Sequence, residues 1–347
     1  MKRNKHILFI SAAVTVAFIF LNACKKEDAA TKQPLAFSHL DVPSGWPAPH
    51  YDYSTNKLTE AGFILGRKLF YETKLSKDNS ISCGSCHQQA SGFSNQGHSL
   101  STGVDGQLGK RNAPAISNLI WQTNFMWTGG VNNIEVMPLS PISNHLEMNE
   151  TIANAVSKLQ NDAQYPPLFN AAFGTSTINS QLLLKAMAQF TGMLVSSHSK
   201  YDAYTNGEID LTTNETNGLN LFNQKCASCH PAPLFTNLQY INFGLDSIFN
   251  DPGRSEITGM AADSGKFKVP SLRNVALSYP YMHDGRFATL EQVLDHYSHG
   301  IVHSATLSPL LNNITPLSVT EKQDIISFLN TLTDETFIND ERFKNPN

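Results

Sequence analysis

Apolar residues recur at helical spacing in several segments of the chain and predict a mostly α-helical fold. One apolar face follows Asn179, a residue type that caps helix N-termini, and it consists of Leu182, Leu183, Ala186, Met187, Phe190 and Leu194. A second face follows Asn149, which predicts a helix capped there and carrying Ile152, Val156 and Leu159. Polar residues fill the positions between, as on the outer side of a helix that packs on a core.

Two capping boxes predict the start of two further helices. Thr289 with Gln292 opens a helix through Tyr297, and Ser318 with Glu321 opens a final apolar-faced helix. Between the helical segments, residues 91–118 and 231–285 are rich in Gly, Asn and Pro and predict long loops. Loops of this length are unusual in a compact domain unless something else supplies a core for them.

The sequence Cys-x-x-Cys-His occurs twice. Its residues are Cys83, Cys86, His87, Cys226, Cys229 and His230. In this motif the thiols form thioethers with haem vinyl groups, and the histidine is the proximal iron ligand. Neither a zinc site nor a redox dithiol requires a histidine after the second cysteine. Each copy also precedes a Phe-Ser/Thr-Asn sequence, at 93–95 and 235–237, so we predict two covalent c-type haems, which would supply the core for the loops.

The fifth cysteine, Cys24, belongs to a predicted export signal. Three basic residues precede an apolar segment at 7–21, which ends in Leu-Asn-Ala-Cys. This pattern predicts a bacterial signal peptide over 1–23 and lipidation of Cys24, with an ordinary signal peptide or an uncleaved anchor helix as the alternatives. Residues 24–45 are polar and predict a flexible tether. The protein is therefore expected in the periplasm or cell envelope, anchored to a membrane by its lipid.

The charge of the chain argues against nucleic acid as a partner. The formal charge of −4 at pH 7 becomes −7 when the three basic residues of 1–23 are removed. An acidic exported protein is a poor binder of nucleic acid, whose phosphates would repel it.

Similar sequences lead to the two motifs and indicate a duplication. GRKLF at 66–70 precedes the first motif, GLNLF at 218–222 precedes the second, and the motifs begin 143 residues apart. We interpret the pair as two cytochrome c-like haem domains that arose by duplication. The predicted domains are an N-terminal haem domain over 46–205 and a C-terminal haem domain over 206–347.

From residue 58 to 335 the chain resembles the bacterial di-haem cytochrome c peroxidase family, which includes the MauG-type enzymes. The resemblance is carried, in order, by 83–87, GKRNAP at 109–114, FMWTGG at 125–130, Pro141-Ile142 with LEM at 146–148, 226–230, FKVPSLRNV at 267–275 and YPYMHDG at 279–285. It implies that the N-terminal haem reacts with peroxide and that the C-terminal haem transfers electrons.

The resemblance implies an exported peroxidase that reduces hydrogen peroxide to water with electrons from a small cytochrome c or a cupredoxin. Two alternatives remain: a MauG-like enzyme that oxidises a partner protein, and a non-catalytic di-haem electron carrier. A homodimer is compatible with either enzyme. An acid–base group at an open haem argues against the carrier, because a carrier is served by two six-coordinate irons.

The resemblance also assigns roles near the N-terminal haem. Glu147, close to Pro141 on one loop, would move the proton between the peroxide oxygens, and Trp127 would lie between the haems. Relatives often carry glutamine at the position of Met137, and a thioether accepts hydrogen bonds only weakly, so distal hydrogen bonding is expected to differ. His98 is a candidate for the histidine that closes the peroxidatic iron, with an exposed loop histidine as the alternative.

Tyr297 and Met282 are the two candidates for the distal ligand of the C-terminal haem. The resemblance places Tyr297 there, where classical peroxidases have methionine and MauG-type proteins have tyrosine. Tyr297 shares a helix face with Leu290 and Val293 and is predicted to point inward. A phenolate lowers the haem potential and a thioether raises it. His283 is implied to lie beside this haem, and three other histidines are expected on the surface, namely His296, His299 and His303.

Calcium is the remaining cofactor that the resemblance implies. Its ligands would be the side chain of Asn112 and the backbone carbonyls of Ser278 and Pro280, with waters. Such hard oxygen ligands suit Ca²⁺.

Overall fold

The computed structural model of the protein describes residues 40 and 42–346. The predicted signal peptide, Cys24 and the tether up to residue 39 lie outside the described residues. Within the described part, no helix is both long enough and apolar enough to cross a membrane.

Helices dominate the described residues, which confirms the predicted mostly α-helical fold. They are α1 (Glu60–Phe70), α2 (Cys83–Cys86), α3 (Leu139–Ser143), α4 (Ile152–Gln160), α5 (Tyr165–Phe173), α6 (Ser180–Gly192), α7 (Lys200–Thr205), α8 (Thr213–Lys225), α9 (Ser255–Thr258), α10 (Leu290–His299), α11 (Val319–Asn330) and α12 (Glu335–Asn339). Short 3₁₀ helices lie between them, at Thr73–Leu75, Gln89–Ser91, Val104–Gly106, Leu119–Trp121, Ala261–Asp263, Val275–Leu277 and Pro309–Leu311.

The two long loops contain little regular structure beyond 3₁₀ turns and one small sheet. Strands β1 (Tyr240–Ile241) and β2 (Phe267–Lys268) pair antiparallel, with Tyr240 opposite Lys268. The rest of 91–118 and 231–285 is irregular apart from α9 and the short 3₁₀ turns, as predicted from its Gly, Asn and Pro content.

Local hydrogen bonds confirm three of the four predicted helix starts. Asn179 accepts the backbone N–H of Leu182 at the start of α6. Both capping boxes are complete, at Thr289 for α10 and at Ser318 for α11. Each cap satisfies backbone donors that the first turn of a helix leaves unpaired.

The predicted cap at Asn149 is wrong. Thr151 caps α4 instead, and its hydroxyl accepts the N–H of Asn154 at 3.2 Å. Asn149 lies in the left-handed region with φ 47°, and its N–H donates to the carbonyl of Asn144 at 3.0 Å. The turn formed by this hydrogen bond delays the helix by two residues.

The two sequences that suggested a duplication occupy equivalent positions in the fold. Helix α1 packs on α6, and α8 packs on α11. A Cβ atom on Gly66 would lie 2.0 Å from the carbonyl oxygen of Ala186, and one on Gly218 would lie 1.9 Å from that of Asp324. Each glycine therefore lets its helix approach the backbone of its partner, in the same way in both halves.

Apolar side chains form a core in each half. The first includes Leu65, Phe169 and Leu183, and the second includes Phe222 and Phe328. The chain end returns to the first half, because the ring of Phe337 lies 5.4 Å from that of Phe93, between centroids, and the hydroxyl of Tyr71 donates to the carbonyl of Phe343 at 2.8 Å. The boundary between haem domains at 205/206 stays a prediction.

Candidate functional site

One cavity of about 730 Å³ receives residues of both Cys-x-x-Cys-His motifs. Its lining includes Cys83, Cys86, His87, Cys226 and His230. Cys229 is half-buried and packs beside the cluster that contains Trp127. All four motif cysteines are free of disulfide bonds, so their thiols are available for thioether formation.

The two motif histidines make equivalent hydrogen bonds, each to the backbone carbonyl of a phenylalanine. Nδ1 of His87 donates to the carbonyl of Phe93 and Nδ1 of His230 donates to the carbonyl of Phe235, each at 3.0 Å. With the proton on Nδ1, the other ring nitrogen, Nε2, carries the lone pair that binds iron. Burial lowers the pKa of His230 to about 4 and also lowers the pKa of His87. Both imidazoles are therefore neutral, which is the ligating form.

The phenylalanines that accept these hydrogen bonds adopt an unusual backbone conformation. Phe93 has φ 62° and Phe235 has φ 53°, in the region that favours glycine. Both rings are fully buried, so their packing offsets a strain of roughly 1–2 kcal/mol each. The consequence is that each carbonyl faces its histidine. The thiols, neutral imidazoles and apolar lining fit two c-type haems.

Glu147 lies in the same cavity as the first motif. Its Oε1 accepts a hydrogen bond from Nδ2 of Asn144 at 2.7 Å, and the carboxyl is half-buried. Burial raises its pKa, and the Asn144 hydrogen bond partly opposes this effect. Pro141 and Met137 also line the cavity, so the structure brings together the residues predicted for the peroxide side. Asn144 is an additional residue that sequence reasoning missed, although it stands only three positions before Glu147.

Trp127 is held rigidly in the lining. It is 9% exposed and packs with Phe243 and Val269. Its indole N–H donates to the carbonyl of Asn112 at 2.8 Å, which satisfies the one polar group of the ring.

Both distal-ligand candidates of the second haem line the cavity. Tyr297 lies there with Leu290 and Val293, the residues predicted to share its helix face. Its hydroxyl makes no hydrogen bond with any residue that the structure describes, and burial raises its pKa. Met282 has φ 73° and packs against the Trp127 cluster. The choice between the two remains a prediction.

His98 is not brought to the cavity. It is exposed, its Nδ1 contacts the carbonyl of Gln96 at 3.1 Å, and it is absent from the lining. This conformation corresponds to the alternative of an exposed loop histidine, because a short turn within the loop holds the ring away from His87.

The three proposed calcium ligands, Asn112, Ser278 and Pro280, all line the cavity. The amide of Asn112 donates through Nδ2 to the carbonyls of His98 and Ser99, at 3.0 and 3.2 Å. Its Oδ1 accepts no hydrogen bond from the part of the chain that the structure covers, so this oxygen fits a cation.

The prediction that His296 lies on the surface is wrong. His296 is buried at 6% exposure, and its Nε2 bonds to the carbonyl of Phe243 at 3.0 Å. The loop around residue 243 covers this side of α10, which a helical pattern alone does not show. His299 and His303 are exposed as predicted. His283 is buried and its ring stacks on Phe267, with 3.7 Å between the ring centroids.

Lys268 is a cationic residue in the lining that sequence reasoning also missed. Its ammonium donates to Oε1 of Gln122 and to the carbonyl of Asn124, at 2.5 and 2.8 Å. Burial lowers its pKa to about 7. Sequence carried no signal for this burial, because a lysine in a strand, between the apolar residues Phe267 and Val269, is usually exposed.

Comparisons with known proteins identify the family of the chain. A family model for di-haem cytochrome c peroxidase matches residues 60–210. The chain is 33% identical over 300 residues to methylamine utilization protein MauG of Methylophilus methylotrophus, covering 84% of this chain and 86% of that protein. It is 34% identical over 275 residues to cytochrome c551 peroxidase of Nitrosomonas europaea, covering 78% and 79%.

A solved structure shows the same fold over nearly the whole described chain. The crystal structure of a MauG-like protein associated with microbial copper homeostasis has a TM-score of 0.83 and 34% identity, and the match covers 89% of this chain and 99% of that one. Two haem-attachment motifs on one cavity, together with these relatives, show that the chain belongs to the di-haem cytochrome c peroxidase family, an oxidoreductase family that includes MauG and carries two c-type haems.

Proposed function

We propose that the protein is an exported peroxidase that reduces hydrogen peroxide to water. The observation that carries the proposal is the single cavity of about 730 Å³, which is lined by both haem motifs, Trp127 and Glu147. A half-buried carboxyl with a raised pKa beside the first motif is an acid–base group. A simple electron carrier has no use for such a group, whereas cleavage of a peroxide requires one.

Glu147 would transfer the proton during cleavage of the peroxide. The overall change is one H₂O₂, two electrons and two protons to two water molecules, and the haems, when bound, supply the redox chemistry. The carboxylate takes the proton from one peroxide oxygen and delivers it to the other, which then leaves as water instead of hydroxide. A raised pKa suits both halves of this transfer, because the group must accept and return the proton near neutral pH. Pro141, which has no N–H, lines the same cavity without offering a competing donor.

Trp127 would carry electrons between the two haem sites. Its ring is buried and fixed by the hydrogen bond to Asn112, so it offers a π system at a constant position. We assign the first motif to the peroxide-reacting haem, because Glu147 and Cys86 are close enough to interact electrostatically. The second motif then belongs to the electron-transfer haem.

The electrons would come from a small cytochrome c or a cupredoxin in the periplasm or cell envelope. The charge of −7 expected after loss of 1–23 favours a basic donor. Lipidated Cys24 would hold the enzyme at a membrane. A calcium ion held by Oδ1 of Asn112 and the carbonyls of Ser278 and Pro280 would link the two long loops.

A second function, oxidation of a partner protein as by MauG, is favoured by Tyr297. Its phenol lines the cavity next to the second motif and lacks a hydrogen-bond partner among the described residues. As an iron ligand it would stabilise ferric and more oxidised iron. Oxidising equivalents would then remain on the protein long enough to be passed to a side chain of another protein.

The substitution Glu147→Gln tests the peroxidase proposal. Glutamine keeps the acceptor for Asn144 but cannot take up a proton, so turnover of peroxide with a reduced small c-type cytochrome should fall by about 10²–10⁴-fold. Glu208→Gln is the matched control, because Glu208 also accepts an asparagine amide, from Asn206 at 3.1 Å, but is exposed. Both variants should retain two haems. Full activity of Glu147→Gln would refute the assigned role, and absence of peroxide turnover in the parent would refute the peroxidase function.

A further inference from the structure

Asn144 uses all its polar groups within the loop that presents Glu147. Its backbone carbonyl accepts the N–H of Glu147 and the N–H of Asn149, each at 3.0 Å. Its side-chain Oδ1 accepts the N–H of Leu146 at 3.1 Å, and its Nδ2 donates to Oε1 of Glu147 at 2.7 Å. Its own N–H donates to the carbonyl of Ser140 at 3.1 Å, where α3 ends. The residue therefore joins the helix end, the turn and the carboxylate.

The hydrogen bond from Nδ2 of Asn144 makes the two carboxylate oxygens of Glu147 unequal in their hydrogen bonding. Oε1 is held by the amide, whereas Oε2 accepts no hydrogen bond from the described residues. Since Glu147 and Asn144 both line the cavity, the amide orients the carboxylate so that one oxygen is left for a reacting molecule. A mobile glutamate side chain would populate several rotamers, and only some of them would reach that molecule.

The backbone of Glu147 is anchored independently of the Asn144 side chain. The carbonyl of Glu147 accepts the N–H of Val104 at 2.8 Å. The N–H of Met148 donates to the carbonyl of Pro141 at 3.2 Å, and the carbonyl of Met148 accepts the N–H of Lys77 at 2.9 Å. A change of the amide alone should therefore leave the loop in place and affect the carboxylate.

We propose that Asn144 is the positioning residue of the active site, which fixes the Glu147 carboxylate in the orientation that transfers the proton. This inference rests on the proposed role of Glu147. It adds a residue that acts through Glu147 and does not itself touch the peroxide. The amide also favours the ionised carboxylate, because it donates a hydrogen bond to it.

The substitution Asn144→Asp separates positioning from folding. Aspartate keeps the acceptor for the N–H of Leu146 but replaces the donor with a second carboxylate, which repels Glu147. The rate constant for reaction with hydrogen peroxide should fall by about 10- to 100-fold at neutral pH, the effect expected when a hydrogen bond to a charged group is lost. The acidic limb of its pH profile should move to higher pH, since the new charge disfavours ionisation of Glu147.

The two haem-attachment cysteines of the first motif lie close to Glu147. The charge of Glu147 contributes to the raised pKa of Cys83 and of Cys86, and thioether formation removes both thiols as titrating groups. Infrared titration of the Glu147 carboxyl, identified by its absence in Glu147→Gln, measures the ionisation without turnover. It should show the same upward movement in Asn144→Asp.

The control is Asn154→Asp, because Nδ2 of Asn154 also donates to a glutamate, at 2.8 Å to Oε2 of Glu150, and neither residue lines the cavity. It should match the parent in rate and pH profile. If Asn144→Asp does not fold, Asn144→Ser replaces it, since a serine hydroxyl can accept the N–H two residues later but cannot reach Glu147. It should lower the rate without adding a charge.

The outcomes distinguish the positioning role of Asn144 from the proton-transfer role of Glu147. If Glu147→Gln is impaired but the Asn144 variants behave like Asn154→Asp, the positioning role is refuted and the proposed function survives. If Glu147→Gln is itself fully active, the role of Glu147 fails, and the positioning role fails with it.

Discussion

Removal of the Arg273 guanidinium should destabilise the C-terminal half of the protein, because it leaves a buried carboxylate without its partner. Arg273 is 1% exposed, and its guanidinium donates two hydrogen bonds of 2.8 Å to the carboxylate of Asp202. A third, also 2.8 Å, goes to the carbonyl of Pro233, and the group stacks 4.5 Å from the ring centroid of Trp46. It thus holds the loop that carries Phe235, the hydrogen-bond partner of His230.

The loss of unfolding free energy depends on the hydrogen bonds that Asp202 retains without Arg273. Removal of one partner of a buried ion pair costs about 3–5 kcal/mol. In Arg273→Met the carboxylate would still accept the N–H and hydroxyl of Ser199, at 2.8 and 2.7 Å, so we expect the lower end, about 3 kcal/mol. This corresponds to a change of roughly 150-fold in the unfolding equilibrium constant.

The loss of unfolding free energy in Arg273→Met should depend on pH. Burial alone would raise the pKa of Asp202, but Arg273 and Ser199 together hold it below its usual value. A lowered pKa stabilises the fold above the unfolded pKa, near 4, and this contribution disappears as pH falls through the folded pKa. The difference between parent and variant should therefore be complete at pH 7 and shrink below about pH 4.

Urea unfolding of the haem-loaded protein, followed by circular dichroism at pH 7 and at about pH 3, measures these differences. Lys200→Met is the control, because Lys200 pairs with Glu215 at 2.7 Å with its own side chain 40% exposed, and such pairs contribute about 0–1 kcal/mol. A loss below about 1 kcal/mol for Arg273→Met at pH 7, or a loss that is the same at about pH 3 as at pH 7, would refute the reasoning.

Three further predictions concern cofactors and location. The pyridine haemochrome assay should find two covalent haems per chain; one haem, or stoichiometric zinc, would contradict the motif assignment. If Tyr297 ligates the second haem, Tyr297→Phe should raise its potential and change the electron paramagnetic resonance of the ferric protein, while Met282→Leu should leave both unchanged; the reverse result would assign Met282. Cys24→Ser should release the protein from membranes with both haems attached, since lipidation is the proposed anchor; a variant that stays bound would exclude that anchor.

Short-range patterns in the sequence determined several features correctly. The haem motifs need only residues within five positions, and the caps at Asn179, Thr289 and Ser318 need only a side chain and a backbone N–H a few residues away. Such interactions form wherever the local sequence allows them. The cap at Asn149 was wrong because an equally local turn, closed by Asn144, competes there.

Tertiary structure decided which of these residues share a site. The carbonyls of Phe93 and Phe235 face the histidines only because buried rings hold both residues at positive φ. Burial of His296 depends on a loop more than 50 residues away in the chain, and the raised pKa of Glu147 depends on the cavity around it. Desolvation and long-range packing are properties of the assembled fold, so composition and periodicity identify the chemical groups, and the fold determines where they act.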